Sequence, residues 1–232
     1  MRIIVNHVTR MKTDSRICVA GINADTFEHF RPVTPRNDPL TRTLLRENGG
    51  PFGPGALVEL GEVTACPNPP ETEDHTFATV DARREEDLTD ELYLAVLDEV
   101  SDLDIPAAFG SDLEEIRPRK LAVRAGHGRR SLAVVPLVKP RLQIEFDSLF
   151  LKLDTSSLTA TIRVSDYRFY ESDHVTIRRD VVNDVRRRIS AGVPLYGMLG
   201  LARAVEDAEA GYVHWLMVNG LCLADRPVGD KP

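Results

Sequence analysis

Short segments in which apolar and polar residues alternate make up most of the chain. RIIVNHV, followed by RICVAGI and EHFRPVT on either side of a turn, predicts the first three strands. Later segments of the same type are ALVELGEVTAC, LAVRAG, SLAVVPLV, RLQIEFD, LFLKLD, TATIRVSDYRFY, VPLYGMLGLAR and VHWLMVNGLCLA. So many short strands indicate a mainly β protein.

A helical period occurs in only two segments, where apolar residues recur every four positions as on an amphipathic helix. The two stripes are Leu88, Leu92, Val96 and Val100, and then Ile177, Val181, Val185 and Ile189. Because strands greatly outnumber helices, the order favours two small barrels, each with an accompanying helix, over a βαβ array. A single large mixed β domain is the alternative.

Charge is distributed unevenly along the 232 residues, although the net charge is only −7. Residues 71–115 contain 16 acidic and two basic residues, whereas residues 116–144 contain eight basic residues and no acid. We therefore predict a first domain at 1–140 with an acidic helical insert at about 71–115, and a second domain at 141–232. Outside the insert the chain is net positive, which permits a surface for phosphates.

The cysteines and the hydropathy exclude several classes of protein. Three cysteines without a C-x-x-C pair argue against a disulfide framework and a cysteine zinc site. No apolar run approaches the roughly 18–20 residues of a membrane span, and the first residues lack a signal-peptide core. We expect a cytoplasmic protein that does not contact membranes.

Several motifs resemble those of the dual-OB-domain proteins of bacteria. They are ICVAGI, FRPVT, GPGALVELGEV and NPPETEDH in the first half, and IRVSDYRFY, GVPLYGMLGLAR and HWLMVNGL in the second. The resemblance implies a mainly β (α+β) fold of two small OB-like β-barrels. It also implies nucleic-acid binding and an association with defence or mobile-element genes, but no catalytic mechanism and no cofactor.

Arg31 in FRPV is a candidate nucleic-acid contact, together with its neighbour Phe30. Pro32 removes a backbone donor, so the strand should end or lie at a sheet edge there. A cation beside an aromatic ring provides the two elements of single-strand binding on a barrel surface. The alternative is an edge-strand arginine that prevents aggregation.

The basic stretch 117–141 is the best candidate for phosphate contacts. Arg129 and Arg130 should lie at the tip of a hairpin, where they could reach a nucleic-acid backbone. The other candidate phosphate contacts in this stretch are Arg117, Arg119, Lys120 and Arg124. Alternatively, the stretch could pack against the acidic insert and be neutralised within the protein.

Tyr170 is the candidate stacking residue of SDYRFYESDH. If this segment is a strand, Tyr167 and Phe169 share one face while Arg168 and Tyr170 share the other. One face should then be core and the other available to a ligand.

Glu73, Asp74 and His75 in PETEDH are candidate metal ligands, because carboxylate oxygens and imidazole suit divalent cations. No known nucleophile or metalloprotease motif occurs elsewhere, and a structural role for this loop is the simpler interpretation.

The favoured function is binding of single-stranded DNA or RNA by backbone neutralisation and aromatic stacking, without enzymatic activity. One alternative is a metal-assisted hydrolase that acts on nucleotides or nucleic acid through Glu73, Asp74 and His75. The other is an adaptor that binds a protein partner through residues 71–115.

Overall fold

The computed structural model describes residues 1–11, 16–36 and 38–227. Within these ranges, seventeen strands form two curled sheets, as expected for two OB-like barrels, and three α-helices accompany them. The first sheet contains β1 (Arg2–Arg10), β2 (Arg16–Asn23), β3 (His29–Val33), β4 (Leu40–Thr41), β5 (Ala56–Glu59), β6 (Val63–Ala65), β7 (Asp74–Phe77) and β8 (Arg83–Asp87).

The second sheet follows after two helices, α1 (Asp90–Val100) and α2 (Ile105–Phe109), and a third helix, α3 (Arg179–Ser190), is inserted into it. Its strands are β9 (Leu113–Arg117), β10 (Lys120–Arg124), β11 (Leu132–Pro136), β12 (Arg141–Glu145), β13 (Ser148–Asp154), β14 (Thr159–Val164), β15 (Leu195–Leu201), β16 (Val205–Asp207) and β17 (Gly211–Leu223).

Barrel 1, formed by β1, β2, β3, β5, β6 and β7, closes on itself. The strand order is β6-β7-β3-β2-β1-β5, and only residues 60–62 separate β5 from β6. These two strands therefore act as halves of one bent strand, which gives the five-stranded barrel of the OB type. Side chains such as Ile17, Val19 and Phe52 fill its interior.

Barrel 2, formed by β11 to β15 and β17, repeats this arrangement. Its order is β11-β15-β17-β14-β13-β12, and residues 137–140 join β11 to β12. The strand β14 runs parallel to β17, as β3 runs parallel to β7 in barrel 1. Helix α3 connects β14 to β15, and Gly192 follows it with a left-handed φ of 85° that suits its C-terminal turn.

The segment between the barrels joins both of them. The side chain of Thr89 caps α1 by accepting from the Leu92 amide. Tyr93 and Leu97 of this helix are fully buried in a cluster with residues of both barrels. Thus α1 packs where the barrels meet. A protein partner for residues 71–115 stays a prediction.

Three local predictions are wrong in detail. Residues 74–77 form a strand parallel to β3, although this segment was expected to be a loop. The segments β10 and β11 do not form a hairpin, because β10 pairs with β9 and β17 whereas β11 pairs with β15. Residues 167–169 form a 3-10 turn rather than part of a strand. No helix in the described part of the chain is both long and apolar enough to span a membrane.

Candidate nucleic-acid interface

The outward face of β1, β2 and β3 in barrel 1 is covered by barrel 2. Ile4 and Ile22 pack against Met198 and Cys222 of the second sheet. A Cβ atom on Gly220 of β17 would lie 3.1 Å from the Asn6 carbonyl oxygen, so the two barrels approach closely there. This is one of the strand faces that OB barrels use for ligands, and here it is an interdomain interface.

Polar side chains are buried in this interface without partners. Asn6 and His7 are each 1% exposed, and neither has a side-chain hydrogen bond in the described structure; the ring nitrogens of His29 also have none. Burial, then His29 and Arg31, lower the pKa of His7 well below its usual value. Burial, then Arg130, lower the pKa of His29 to about 3. Both rings are therefore neutral at physiological pH.

Arg31 and Phe30 lie inside the protein, which corrects their assignment as surface contacts. Arg31 is 4% exposed, and its Nε lies 2.5 Å from Asp74 Oδ1. Phe30 is 2% exposed, belongs to the core of barrel 1 and stacks on His75 with ring centroids 4.3 Å apart. A nucleic-acid base or phosphate cannot reach either side chain without unfolding the interface.

Arg203 of barrel 2 joins barrel 1 through two buried carboxylates. Its Nη1 lies 2.7 Å from Glu71 Oε2, and its Nη2 lies 2.7 Å from Asp74 Oδ2. Asp74 thereby bridges Arg31 and Arg203. We call Arg31, Glu71, Asp74 and Arg203 the interdomain latch.

Glu73 and its neighbours are not arranged as metal ligands, which corrects that candidate role. Glu73 accepts from the amide and hydroxyl of Ser131 and from the Leu132 amide, at 2.7, 2.8 and 3.1 Å. Asp74 is held by two arginines, and His75 Nδ1 faces the Glu73 carbonyl oxygen. Within the described ranges, no three His, Cys, Asp or Glu side chains are grouped to hold a metal.

Three arginines of the basic stretch are paired within the protein. Arg117 Nη2 lies 2.7 Å from Asp207 Oδ2, and Arg124 Nε lies 3.2 Å from Glu114 Oε2. Arg130 chelates the carboxylate of Asp102. Glu114 and Asp102 belong to the acidic segment 71–115, so part of the charge is neutralised internally, as the alternative interpretation states.

Arg119, Lys120 and Arg129 are exposed and have no ion pair among the described residues. Arg119 is of special interest because its carbonyl oxygen accepts from the Thr161 amide at 2.7 Å. This contact fixes Arg119 beside strand β14. Arg129 lies instead in the connection between β10 and β11, where its carbonyl accepts from Thr72.

Tyr170 is buried and cannot stack on a base, which corrects its predicted role. It is 4% exposed, and its hydroxyl donates to the Val164 carbonyl at 2.8 Å. The guanidinium of Arg10 covers the ring, 3.6 Å from its centroid. Because the preceding residues form a 3-10 turn, the alternation of a strand does not apply to this side chain.

Barrel 2 exposes the face that barrel 1 buries. In β13 and β14 the buried residues Leu149, Leu151, Ala160 and Ile162 alternate with outward-facing ones. The outward residues pair across β12, β13 and β14 in two rows. One row is Gln143, Phe150 and Arg163, and the other is Arg141, Lys152 and Thr161. We call these six residues the open face.

The centre of the open face is Phe150, a partly exposed ring between an amide and a guanidinium. Arg163 Nη2 donates to Ser148 Oγ at 2.7 Å, which holds the arginine beside the ring. At the turn between β12 and β13, Phe146 is 100% exposed with a left-handed φ of 47°. Aromatic rings therefore occupy both the strands and the adjoining loop.

Acidic side chains balance part of the charge on this face. Lys152 Nζ lies 2.6 Å from Glu145 Oε1, while Arg141 and Asp154, both strongly exposed, are 4.0 Å apart. An exposed pair such as Arg141 and Asp154 contributes about 0–1 kcal/mol. A phosphate can therefore replace the Asp154 carboxylate at small cost.

The alternation in LFLKLD and TATIRV could have identified Phe150, Lys152 and Arg163 from the sequence. Period two places all three opposite the buried leucine, isoleucine and valine side chains. The sequence analysis predicted these strands but did not follow which face carries an aromatic ring and cations.

No protein-family model matches the chain, and no curated protein matches its sequence. Two solved structures are weakly similar. The p204 HINb domain has a TM-score of 0.36 and 11% identity over 91% of this chain and 89% of that one. A murine DNA-binding protein bound with double-stranded DNA has a TM-score of 0.31 and 8% identity over 93% and 91%. The OB-like assignment therefore depends on the strand pairing, and the bacterial dual-OB resemblance stays a prediction.

Proposed function

We propose that the chain binds single-stranded nucleic acid on the open face of barrel 2. The observation that carries the proposal is the position of Phe150 on the second strand of an uncovered OB-like barrel, between Gln143 of the first strand and Arg163 of the third. OB barrels bind oligonucleotides on this face and on its adjoining loops. Aromatic stacking and cations together provide affinity with little sequence preference.

Phosphates would be bound by the cations around Phe150. Arg141, Lys152 and Arg163 belong to the open face, and the backbone contact of Arg119 with Thr161 places a fourth cation at its edge. Of the residues predicted from the sequence, Arg119 is the best placed to take part, with Lys120 beside it. Arg129 is more distant in the fold.

A single strand is preferred in this proposal because Phe150 and Phe146 need the exposed flat face of a base. Stacked bases inside a duplex do not offer that face without local unstacking, which costs a few kcal/mol per step. Binding to a duplex would use the cations alone and should be weaker.

Fluorescence anisotropy with labelled oligothymidylate, oligouridylate and a duplex of equal length tests the proposal. We expect salt-dependent binding of the single strands, and about 10–100-fold weaker binding by Phe150→Ala, since stacking contributes ~1–3 kcal/mol per base. Phe27→Ala is the matched control, because Phe27 is an exposed ring in the β2–β3 turn of barrel 1. Equal affinity of Phe150→Ala and the unmodified protein, or tighter binding of the duplex, would contradict the proposal.

A further inference from the structure

A cleft of about 440 Å³ lies between the barrels, and none of its lining residues belongs to the open face. One wall carries Arg42 and Arg46, from two 3-10 turns of barrel 1. The other wall carries Arg178 and Arg188, which lie one before and one within helix α3. Buried apolar side chains also line the cleft: Phe169, Val185 and Leu221. A volume of this size suits a small ligand.

Three buried nitrogen atoms at this place have no hydrogen-bond partner among the described residues. They are Nδ1 of His174, Nε of Arg42 and Nε of Arg10. His174 lines the cleft and is 4% exposed. Arg10 lies directly behind it and donates to the His174 carbonyl. Since buried polar groups in proteins are nearly always paired, these atoms, two in the cleft wall and one behind it, indicate that a hydrogen-bonding group from outside the chain fits there.

Arg178 of the cleft is only loosely held, whereas Arg42 is held on two sides, because its Nη1 also donates to the Ser172 carbonyl oxygen. Arg42 Nη2 lies 3.4 Å from Glu47 Oε1, and Arg178 Nη2 lies 3.9 Å from Asp180 Oδ2. In contrast, Arg46 lies 2.9 Å from Asp87, and Arg188 lies 3.0 Å from Asp225. Arg178 can therefore turn towards an anion, Arg42 can offer its unpaired Nε, and the tighter pairs maintain the walls.

We propose that this cleft binds a nucleoside phosphate, with the phosphate at Arg42, Arg178 and His174 and the base against the apolar lining. Guanidinium groups recognise phosphate by paired, charge-assisted hydrogen bonds. A ligand with both an anion and a flat apolar ring matches the two surfaces better than phosphate alone. Free nucleotides and the 5′-phosphorylated end of a strand share this chemistry.

The electrostatics at His174 agree with an anion site. Burial, then Arg42 and Arg10, lower the pKa of His174, while Glu47 and the Met11 carbonyl oppose the shift. The cleft is therefore positive around a neutral imidazole. A bound phosphate would offset the two arginines and raise that pKa.

Isothermal titration calorimetry with adenosine 5′-monophosphate, adenosine and inorganic phosphate tests the proposal at low salt. We expect the nucleotide to bind at least about tenfold more tightly than either fragment. Arg42→Gln and Arg178→Gln should each weaken it about 10–100-fold, because a hydrogen bond to a charged group is worth ~1.5–3 kcal/mol. Arg129→Gln is the matched control and should leave the affinity unchanged.

A melting curve of each variant shows whether it is folded, and Arg42→Lys, which keeps the charge, provides a second variant with an intermediate loss. Absence of nucleotide binding, or affinity unchanged in both Arg42→Gln and Arg178→Gln, would overturn the proposal. Phe150→Ala should bind the nucleotide normally, so this test is independent of the open face.

The source of the phosphate is distinguished with oligothymidylate that carries either a 5′-phosphate or a 5′-hydroxyl. Preference for the phosphorylated strand, lost in Arg42→Gln, would identify a strand end as the ligand. Equal binding of both strands, with the free nucleotide still bound, would identify the free nucleotide.

Discussion

Barrel 1 and barrel 2 have the same strand order, yet the face formed by their second and third strands meets different surroundings. In barrel 1 it carries His29 and Arg31, continues onto the first strand with Asn6 and His7, and is sealed by barrel 2. In barrel 2 it carries Phe150 and several cations and remains accessible. The comparison shows that a shared fold does not determine which face can bind a ligand. What decides it is whether the neighbouring barrel covers that face.

The sealed face also explains why Arg31 attracts attention in the sequence. An arginine beside phenylalanine and proline on a barrel strand has the composition of a binding site. Its guanidinium is instead half of a buried ion pair with Asp74, and Asp74 also holds Arg203. Arg31 thus pairs inside barrel 1, and Asp74 extends the contact to barrel 2 through Arg203.

The largest expected effect comes from opening this sealed face at the latch. Asp74→Asn removes the charge that pairs with Arg31 and Arg203, so it should lower the free energy of unfolding by about 3–5 kcal/mol. Urea denaturation followed by circular dichroism measures this change. Asp154→Asn on barrel 2 is the control, because its exposed pair with Arg141 is worth about 0–1 kcal/mol. Equal effects of the two substitutions would mean that the latch does not hold the barrels.

The next effect is a pH dependence of stability that arises from the histidines buried in barrel 1. The pKa of His29 is lowered to about 3 in the folded protein, whereas an unfolded histidine has a pKa of ~6.5. Below pH ~6.5 the His29 ring therefore binds a proton in the unfolded chain but stays neutral in the folded protein. Stability should fall by ~1.4 kcal/mol per pH unit for this residue, about 2 kcal/mol by pH ~5. His7, with its pKa lowered in the same direction, should add to the loss.

Urea denaturation of His29→Gln between neutral pH and pH ~5 measures the contribution of His29 to this pH dependence. The variant should lose stability less steeply than the unmodified protein as the pH falls. His127→Gln, a substitution at an exposed histidine, is the control and should leave the slope unaltered. If His29→Gln leaves the slope unchanged as well, the buried ring is not the origin of the acid sensitivity.

The smallest effect concerns the charges of the open face. Arg141→Gln should weaken single-strand binding only a few-fold and lower the salt slope by ~1, since it removes one phosphate contact. Arg124→Gln, at an arginine that pairs with Glu114, should change neither value. Anisotropy titrations over a salt series measure both. A larger loss for Arg124→Gln than for Arg141→Gln would move the binding surface to the basic stretch.

The sequence predicted the strands and the mainly β fold because alternation is a local property. It could also have indicated Phe150 and Arg163, which alternate with core residues. The burial of Arg31 could not be read in the same way, since Asp74 lies 43 residues away in the chain, and Glu73 reaches Ser131 across 58 residues. Such pairs form only when distant segments pack together, and no short sequence motif indicates them.

Long-range pairing also explains why the domain boundary was hard to predict from the sequence. The charge pattern placed residues 116–140 with the first domain, but their strands β10 and β11 pair with the second sheet. We propose that the first barrel ends near residue 77 and that residues 78–131 form a connecting segment. Charge composition describes the surface of a segment, whereas hydrogen-bond pairing decides which sheet it joins.

Photo-crosslinking with oligonucleotides that contain 5-iodouracil tests the central claim most directly. Such a base forms adducts with aromatic side chains on which it stacks, and mass spectrometry identifies the modified peptide. Our account predicts adducts at Phe150 or Phe146 and none at Phe30 or Tyr170. Adducts confined to barrel 1, or none despite measurable binding, would contradict the assignment of the open face of barrel 2 as the nucleic-acid site.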